Sequence, residues 1–318
     1  FVWFKGGMDD RYMTQYIATG IGHLRKLNAL SGDNYQAIKT IIDKAVPYLD
    51  KKIKEDYDDL IKYKAKLKDN HLSYIQIQYL YMRSFFPEYK VAAASQKAFD
   101  YYIGQAKKYW LSNSKYMQAM IALALNRNND AVTPKAIIKS LKENAINKEE
   151  LGMYWKEWTT GGYYWHQAPI ESQAMMIEAF MDIDKNNTTV DDLKTWLLKQ
   201  KQTQNWKTNK ATAEACYALL LGGNNWLAEE KEVTINLGNT VVKSTDIAAE
   251  AGIGYFKKRI EGKDVKPDMG NIAVSITKSS NQQISTSTSW GSVYWQYFED
   301  LDKITSAETP LKLVKKLF

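Results

Sequence analysis

The sequence predicts a mainly α chain with a smaller β module towards its C-terminal end, and three observations carry that expectation. The first is a recurring unit: an aromatic loop bearing Gly or Asn, then a helix with a small, aliphatic face. It reads Phe1-Val-Trp-Phe-Lys-Gly-Gly before Asp10-Arg-Tyr-Met-Thr-Gln-Tyr-Ile-Ala, and Gly161-Gly-Tyr-Tyr-Trp-His-Gln before Ile170-Glu-Ser-Gln-Ala-Met-Met-Ile. It returns as Asn205-Trp-Lys-Thr-Asn-Lys before Ala211-Thr-Ala-Glu-Ala-Cys-Tyr, with weaker copies, lacking the aromatic loop, from His71 and Ser114. A supersecondary unit that recurs buries its apolar face against its own neighbours, so this is the sequence of an α/α array. The second observation is helical periodicity from Asp9 to about Trp226. The third is a change of pattern near Glu229, after which short β-branched runs alternate with turn residues.

The elements follow in order. Asp9 or Asp10 caps a first helix whose stripe is Tyr12, Tyr16, Ile17, Gly20 and Leu24. A second begins near Asp33 with Tyr35, Ile38, Ile41, Ile42 and Ala45 in register, and Pro47 is expected to kink or restart it. Further helices are expected over 71–86, 91–111, 114–127 and 133–144, the last opened by Thr133-Pro134 as cap and first-turn proline. Residues 153–166 read as a hairpin of two aromatic runs around Gly161-Gly162. Helices resume over 169–184, 191–200 and 210–221, where Gly222-Gly223 ends the last. Val233-Thr-Ile-Asn-Leu-Gly-Asn-Thr-Val-Val is a hairpin around Gly-Asn, and 254–260, 270–277 and 285–297 carry further strand patterns.

Composition narrows the function classes. Of 318 residues, 45% are hydrophobic and 25% charged, an ordinary soluble balance with too much apolar content for disorder. The net charge of +7 is spread among interspersed acids and bases, as in Lys51-Lys-Ile-Lys-Glu-Asp-Tyr-Asp-Asp, so no nucleic-acid partner is expected. No apolar run is long enough to cross a bilayer, and no membrane contact is expected. The chain opens on Phe1 with no signal peptide, which suggests a piece excised from a larger protein. One cysteine excludes an internal disulfide. Cys216, between Ala and Leu residues, is expected to be a shielded structural thiol.

Candidate chemistry is sparse. The adjacent pairs Asp9-Asp10, Asp58-Asp59 and Asp191-Asp192 do not share a helix face and fit helix starts or charged surfaces. Glu171 and Glu178 project from a helix after an aromatic loop, where the acid of an α/α glycosidase would sit. The three histidines are His23, His71 and His166, none with a second His or Cys at metal-ligand spacing, so no zinc site is expected. His23 is read as helix surface or core packing. His166, in the aromatic loop, is the most site-like, and His71 is kept beside it as a polar candidate. No Gly-x-Ser-x-Gly elbow or phosphate-cradling loop is present, and no cofactor is expected.

The segments Phe1–Leu24, Tyr163-Tyr-Trp-His-Gln-Ala-Pro-Ile-Glu-Ser-Gln-Ala and Trp206-Lys-Thr-Asn-Lys-Ala-Thr-Ala-Glu-Ala together resemble the thioester-domain region of bacterial alpha-2-macroglobulin-type proteins. Ser289-Trp-Gly-Ser-Val-Tyr-Trp-Gln-Tyr-Phe-Glu-Asp-Leu-Asp-Lys-Ile is similar to the strand that closes the adjacent CUB-like module. The likeness is collinear over nearly the whole chain. It implies an incomplete α/α toroid over 1–228, lacking its first helices, then the C-terminal part of a CUB-like β-sandwich over 229–305. Residues 306–318 would begin a following macroglobulin-like β domain.

By that resemblance the chain is a non-enzymatic fragment of a broad-spectrum endopeptidase inhibitor. Such proteins trap proteases after bait cleavage and acylate them through a Cys–Gln thioester. Their Cys-x-Glu-Gln motif does not match Cys216-Tyr-Ala-Leu219, so this chain carries no thioester. Nor does His71 have the flanks of the histidine that activates the thioester in complement relatives. The implied partners are target proteases, met through the full-length parent, with a monomer favoured. The implied location is the periplasm or cell envelope, any lipid anchor lying on the missing N-terminus. Two other readings stay open: an α/α-toroid polysaccharide-degrading enzyme, a glycosidase or lyase with an open, acid-lined cleft, and a non-catalytic interaction scaffold.

Overall fold

The computed structural model describes residues 1–30, 34–149, 151–159, 168–203, 206, 208–222, 231–247, 256–278, 291, 293–298 and 300. The chain divides into two compact units, Phe1–Gly222 and Gly223–Phe318. The described residues are mainly helical, with a small antiparallel sheet in the second unit.

The first unit contains α1 (Arg11–Lys26), α2 (Asn34–Lys62), α3 (Tyr74–Arg83), α4 (Ala93–Tyr109), α5 (Lys115–Arg127) and α6 (Thr133–Glu143). After these come α7 (Pro169–Ala179), α8 (Asn187–Thr203) and α9 (Asn209–Leu220). The odd-numbered helices are successive neighbours: α1 packs on α3, α3 on α5, α5 on α7 and α7 on α9. The even-numbered helices flank them, α2 on α1 and α4, α6 on α5, α8 on α7.

Sequence accounts for this division of labour. α5 buries every residue from Gln118 to Leu125, and α7 every residue from Glu171 to Ala179, because Ala, Met, Ile and Leu surround both helices. α6 is amphipathic and buries only Pro134, Ile137, Ile138 and Leu141. Small residues set how closely the helices approach. A Cβ on Gly22 of α1 would lie 2.6 Å from Cγ of Phe85, so alanine there would collide with the ring. A buried ion pair fastens α2 to α3: the Asp50 carboxylate accepts from Arg83 Nε at 3.0 Å and from the Tyr79 hydroxyl at 2.6 Å.

Caps place the helix starts. Asp10, Ser114 and Thr208 accept the backbone N–H of Met13, Met117 and Ala211 respectively. At α6 the expected Thr133 cap is replaced by Asp130, whose Oδ1 accepts from the N–H groups of both Val132 and Thr133. A carboxylate two or three residues upstream reaches both donors at once, which one hydroxyl cannot. α2 runs unbroken through Pro47 and far past the expected stripe, because Leu49, Ile53 and Tyr57 continue its buried face. α7 continues as a π-turn, Phe180–Asp184.

The aromatic hairpin expected over 153–166 needs correction. A short strand β2 (Gly152–Tyr154) pairs backwards with β1 (Ile146–Lys148), and the first aromatic run leaves the strand after Tyr154. Trp155 and Trp158 then enter the core, Trp155 against Phe180, and Lys156–Thr159 form a 3-10 turn. Residues 160–167, including Gly161 and Gly162, lie outside the described residues. Gly152 has φ +75°, and a Cβ on it would sit 2.2 Å from the Asp192 carbonyl oxygen, so the turn onto α8 admits only glycine.

In the second unit β3 (Lys231–Leu237), β4 (Thr240–Lys243) and β5 (Ile272–Lys278) form a sheet in the order β4-β3-β5, all antiparallel. The hairpin turns at Gly238-Asn239 as its sequence predicts, and Asp268 Oδ2 accepts from both the backbone and the side chain of Asn239. Register sets Val233, Ile235 and Leu237 opposite Ile276, Val274 and Ile272. The strand expected over 254–260 is not formed at 256–260, where residues are irregular, and 254 and 255 lie outside the described residues. Of the pattern over 285–297, residues 291 and 293–297 are irregular and the remainder is outside the described residues. No described helix is long and apolar enough to cross a membrane.

Candidate functional site

The odd-numbered helices converge on polar side chains, not only on aliphatic ones. α1 contributes His23 and Lys26, α3 Tyr81, α5 Arg127, and α7 Glu178, with Asp182 on the π-turn that follows. α9 adds Lys210, Glu214 and Tyr217, one stripe at i, i+4 and i+7 of an otherwise Ala- and Leu-rich helix.

Glu178 is the hub. Its side chain is 1% exposed and accepts from Arg127 Nη2 at 2.5 Å, Lys26 Nζ at 3.1 Å, the Tyr217 hydroxyl at 2.6 Å and the Tyr81 hydroxyl. Asp182 shares both cations, with Lys26 at 2.6 Å and Arg127 at 2.8 Å. Burial alone would push the Glu178 carboxyl up, but Arg127 and Lys26 beside it hold it well below the usual carboxylate range. Burial likewise opposes the charge on Arg127, and Glu178 outweighs it, so the guanidinium stays charged. Arg127 also lies 4.3 Å over the centroid of the Phe85 ring.

His23 sits beside this hub. Its ring stacks on Tyr217 with centroids 3.7 Å apart and 6° between planes, and meets Phe85 edge-on. His23 Nε2 is 2.9 Å from the Tyr81 hydroxyl oxygen. The single Tyr81 hydroxyl proton is given to Glu178, so that oxygen accepts from His23, which places the imidazole proton on Nε2 and leaves Nδ1 a bare acceptor. Burial lowers His23 to about 4 against the pull of Glu178. The imidazole is therefore neutral around pH 7.

Nδ1 faces Glu214, whose Oε2 is 3.9 Å away, beyond hydrogen-bond reach. Burial raises the Glu214 carboxyl to about 7, opposed by Lys210 and reinforced by Glu178 and Glu171. Lys210 is itself lowered, by burial. Between these groups lies a cavity of about 20 Å³ lined by His23, Tyr81, Tyr116, Lys210 and Glu214 among others. That is room for one water and none for a sugar ring. The arrangement can store, orient and pass a proton. It offers no nucleophile–base pair beside a substrate-sized space.

The residues singled out from sequence scatter. Glu171 and Glu178 are both buried and both near this centre, Glu178 as an ionised anchor. His71 is elsewhere, ahead of α3, with its Nε2 3.0 Å from the Lys66 carbonyl and its N–H donated to Gln105. His166 lies outside the described residues. No group of three potential metal ligands occurs among the described residues. Glu214, Lys210, Arg127 and Tyr217 escaped the sequence reading. The signal that would have found three of them is the Lys210, Glu214, Tyr217 stripe at i, i+4 and i+7, polar in a helix otherwise rich in Ala and Leu.

Cys216 requires a correction: the thiol is exposed, not shielded. α9 buries Ala211, Ala215, Tyr217, Ala218 and Leu219, and Cys216 falls on the opposite stripe with Thr212 and Leu220. Native protein should therefore react with a bulky disulfide reagent at nearly the rate of the urea-unfolded chain. Labelling that requires denaturant would return the residue to the core.

No family model matches the chain, and no curated protein matches it.

Proposed function

We propose that this chain is the toroid and adjoining CUB-like region of a bacterial alpha-2-macroglobulin-type protease trap, a non-enzymatic part of a periplasmic or cell-envelope inhibitor. The collinear order of its sequence segments, from Phe1–Leu24 through the loops at Tyr163 and Trp206 to Ser289–Ile304, carries the reading. Supporting it is the alternation of the helices, odd ones in succession with even ones on their flanks, and the reach of His23 on α1 to Tyr217 on α9. That order is what an α/α toroid requires. The β4-β3-β5 sheet fits a portion of a CUB-like sandwich. The chain supplies scaffold, not the acylating group, since its cysteine is on the open face of α9 with Leu219 where the thioester glutamine would stand. No nucleic acid and no membrane surface is needed as a partner.

One observation favours the rival enzyme reading: Glu214 is poised near neutrality, as a general acid would be. Against it stand the one-water cavity and the ion pairs with Arg127 and Lys26 that hold Glu178 below the usual carboxylate range. The full-length protein that carries this chain should suppress protease cleavage of large protein substrates while leaving small peptide substrates almost untouched, because a trapped protease keeps its active site. Equal effects on large and small substrates would defeat the trap. Glycan cleavage lost in Glu214→Gln or Glu171→Gln would establish the enzyme instead.

A further inference from the structure

We propose that the connection from the end of α2 to α3 is a docking surface for an acidic polypeptide segment. Lys62, Lys64, Lys66 and Lys68 take every second position there and all four are exposed, while Ala65 and Leu67 between them are half-buried. None of the four forms an ion pair among the described residues. Lysines on the neighbouring helices are matched: Lys39 with Asp43 at 2.8 Å, Lys52 with Glu55 at 2.7 Å and Lys107 with Asp130 at 3.0 Å. Uncompensated cations in one short run attract an opposite charge.

The backbone of this run is tied down, unlike that of an ordinary solvated loop. Lys66 O accepts from the Asp69 N–H at 2.8 Å and from His71 Nε2 at 3.0 Å. Leu67 O accepts from the Tyr101 hydroxyl at 3.1 Å and from Gln105 Nε2 at 3.2 Å. Lys68 O accepts from Lys108 Nζ at 3.0 Å and from the Tyr109 hydroxyl. Gln105 is buried and also accepts the His71 N–H at 3.0 Å, so one carboxamide clamps two points of the loop. Lys64 stands at φ +51°, where a helix ordinarily ends on glycine. Three successive carbonyls are thus held by side chains of α4 and by His71, while the lysines remain in solvent. A backbone fixed in advance loses little conformational freedom on binding. His71 is on this reading a positioning residue for the lysines.

The pattern of charge selects a polypeptide. Asp59 precedes the lysines and Asp69 follows them, both exposed. A phosphate backbone or an anionic bilayer presents one sign of charge throughout and would meet both carboxylates. A peptide can set acids against the lysines and other residues against Asp59 and Asp69. Tyr63 within the loop is exposed and offers apolar contact, as does Leu111, next to the Ser112 hydroxyl that accepts from Asn70 at 3.2 Å. This surface is independent of the trap reading.

Anisotropy of a fluorescein-labelled peptide of alternating Glu and Ser reads the binding. Native protein should bind it, less tightly as salt is raised. Lys64→Gln, Lys66→Gln and Lys68→Gln together should weaken binding about ten-fold. Lys44→Gln, Lys90→Gln and Lys135→Gln remove the same charge from exposed sites elsewhere and should change it by less than about two-fold. No binding by the native protein, or equal losses in the two triple variants, would overturn the proposal. So would a single-stranded oligonucleotide or phosphatidylserine vesicles bound as tightly as the peptide, with the same dependence on the loop lysines. His71→Ala keeps every lysine and should still weaken the peptide several-fold. His71→Gln, whose carboxamide can donate to the Lys66 carbonyl, should restore most of the binding. Unchanged affinity in His71→Ala would refute the positioning role.

Discussion

Arg127→Ala should cost the helical unit about 3–5 kcal/mol, the usual penalty for removing one partner from a buried ion cluster. The guanidinium is 14% exposed and bonds Glu178 and Asp182, while its Nη1 reaches the Ser84 hydroxyl at 3.3 Å. Without it two carboxylates share Lys26 alone, and Glu178, at 1% exposure, cannot recover water. The stack on Phe85 is lost as well. Urea denaturation followed by helical circular dichroism should give a lower midpoint with an unchanged slope. Arg127→Ala with Glu178→Gln should recover part of the loss, because the orphaned charge goes with its partner. A single-variant cost under about 1 kcal/mol would mean that water reaches the cluster and screens it.

Trp155→Ala is expected to be comparably severe, about 3–5 kcal/mol. The indole is fully buried, 5.4 Å from Trp158 and 6.2 Å from Phe180 between ring centroids, and its Nε1 donates to the Leu141 carbonyl at 2.9 Å. Alanine leaves a cavity and an unpaired carbonyl together. Trp155→Phe keeps one aromatic ring but loses the donor and part of the buried indole volume, so its cost should be smaller, about 1–3 kcal/mol. Thermal unfolding of the pair separates the two contributions. Equal losses in both variants would show that the hydrogen bond, and not the packing, fastens α6 to this turn.

The two substitutions lie on opposite sides of what sequence patterns carry. Trp155 stands in an aromatic run, and that it is a core residue is plain from composition. That it stands in a turn after a strand pairing with Ile146–Lys148 is not, because a run of aromatic residues suits a strand and a buried turn equally well. Arg127 ends a helix with a clear Ser114 start, where a basic residue in the last turn is ordinary dipole chemistry. Its contacts with Glu178 and Asp182 span 51 and 55 residues, and no local pattern marks them.

Sequence by itself determined where most helices lie, the hairpin at Gly238-Asn239, the change from helix to strand in the last third of the chain and the lack of a thioester motif. These follow from near-neighbour physics: side-chain period, caps and turn residues act within a few positions. Only the tertiary structure decided that Cys216 faces outwards, that His71 stays away from the polar centre, and that Glu178 is an anchor while burial raises the Glu214 carboxyl to about 7. Two glutamates on helices with similar Ala-rich faces have the same intrinsic acidity. They differ because Arg127, Lys26, Tyr81 and Tyr217 converge on one, while the other is buried against a bare imidazole nitrogen with Lys210 alone to oppose the burial.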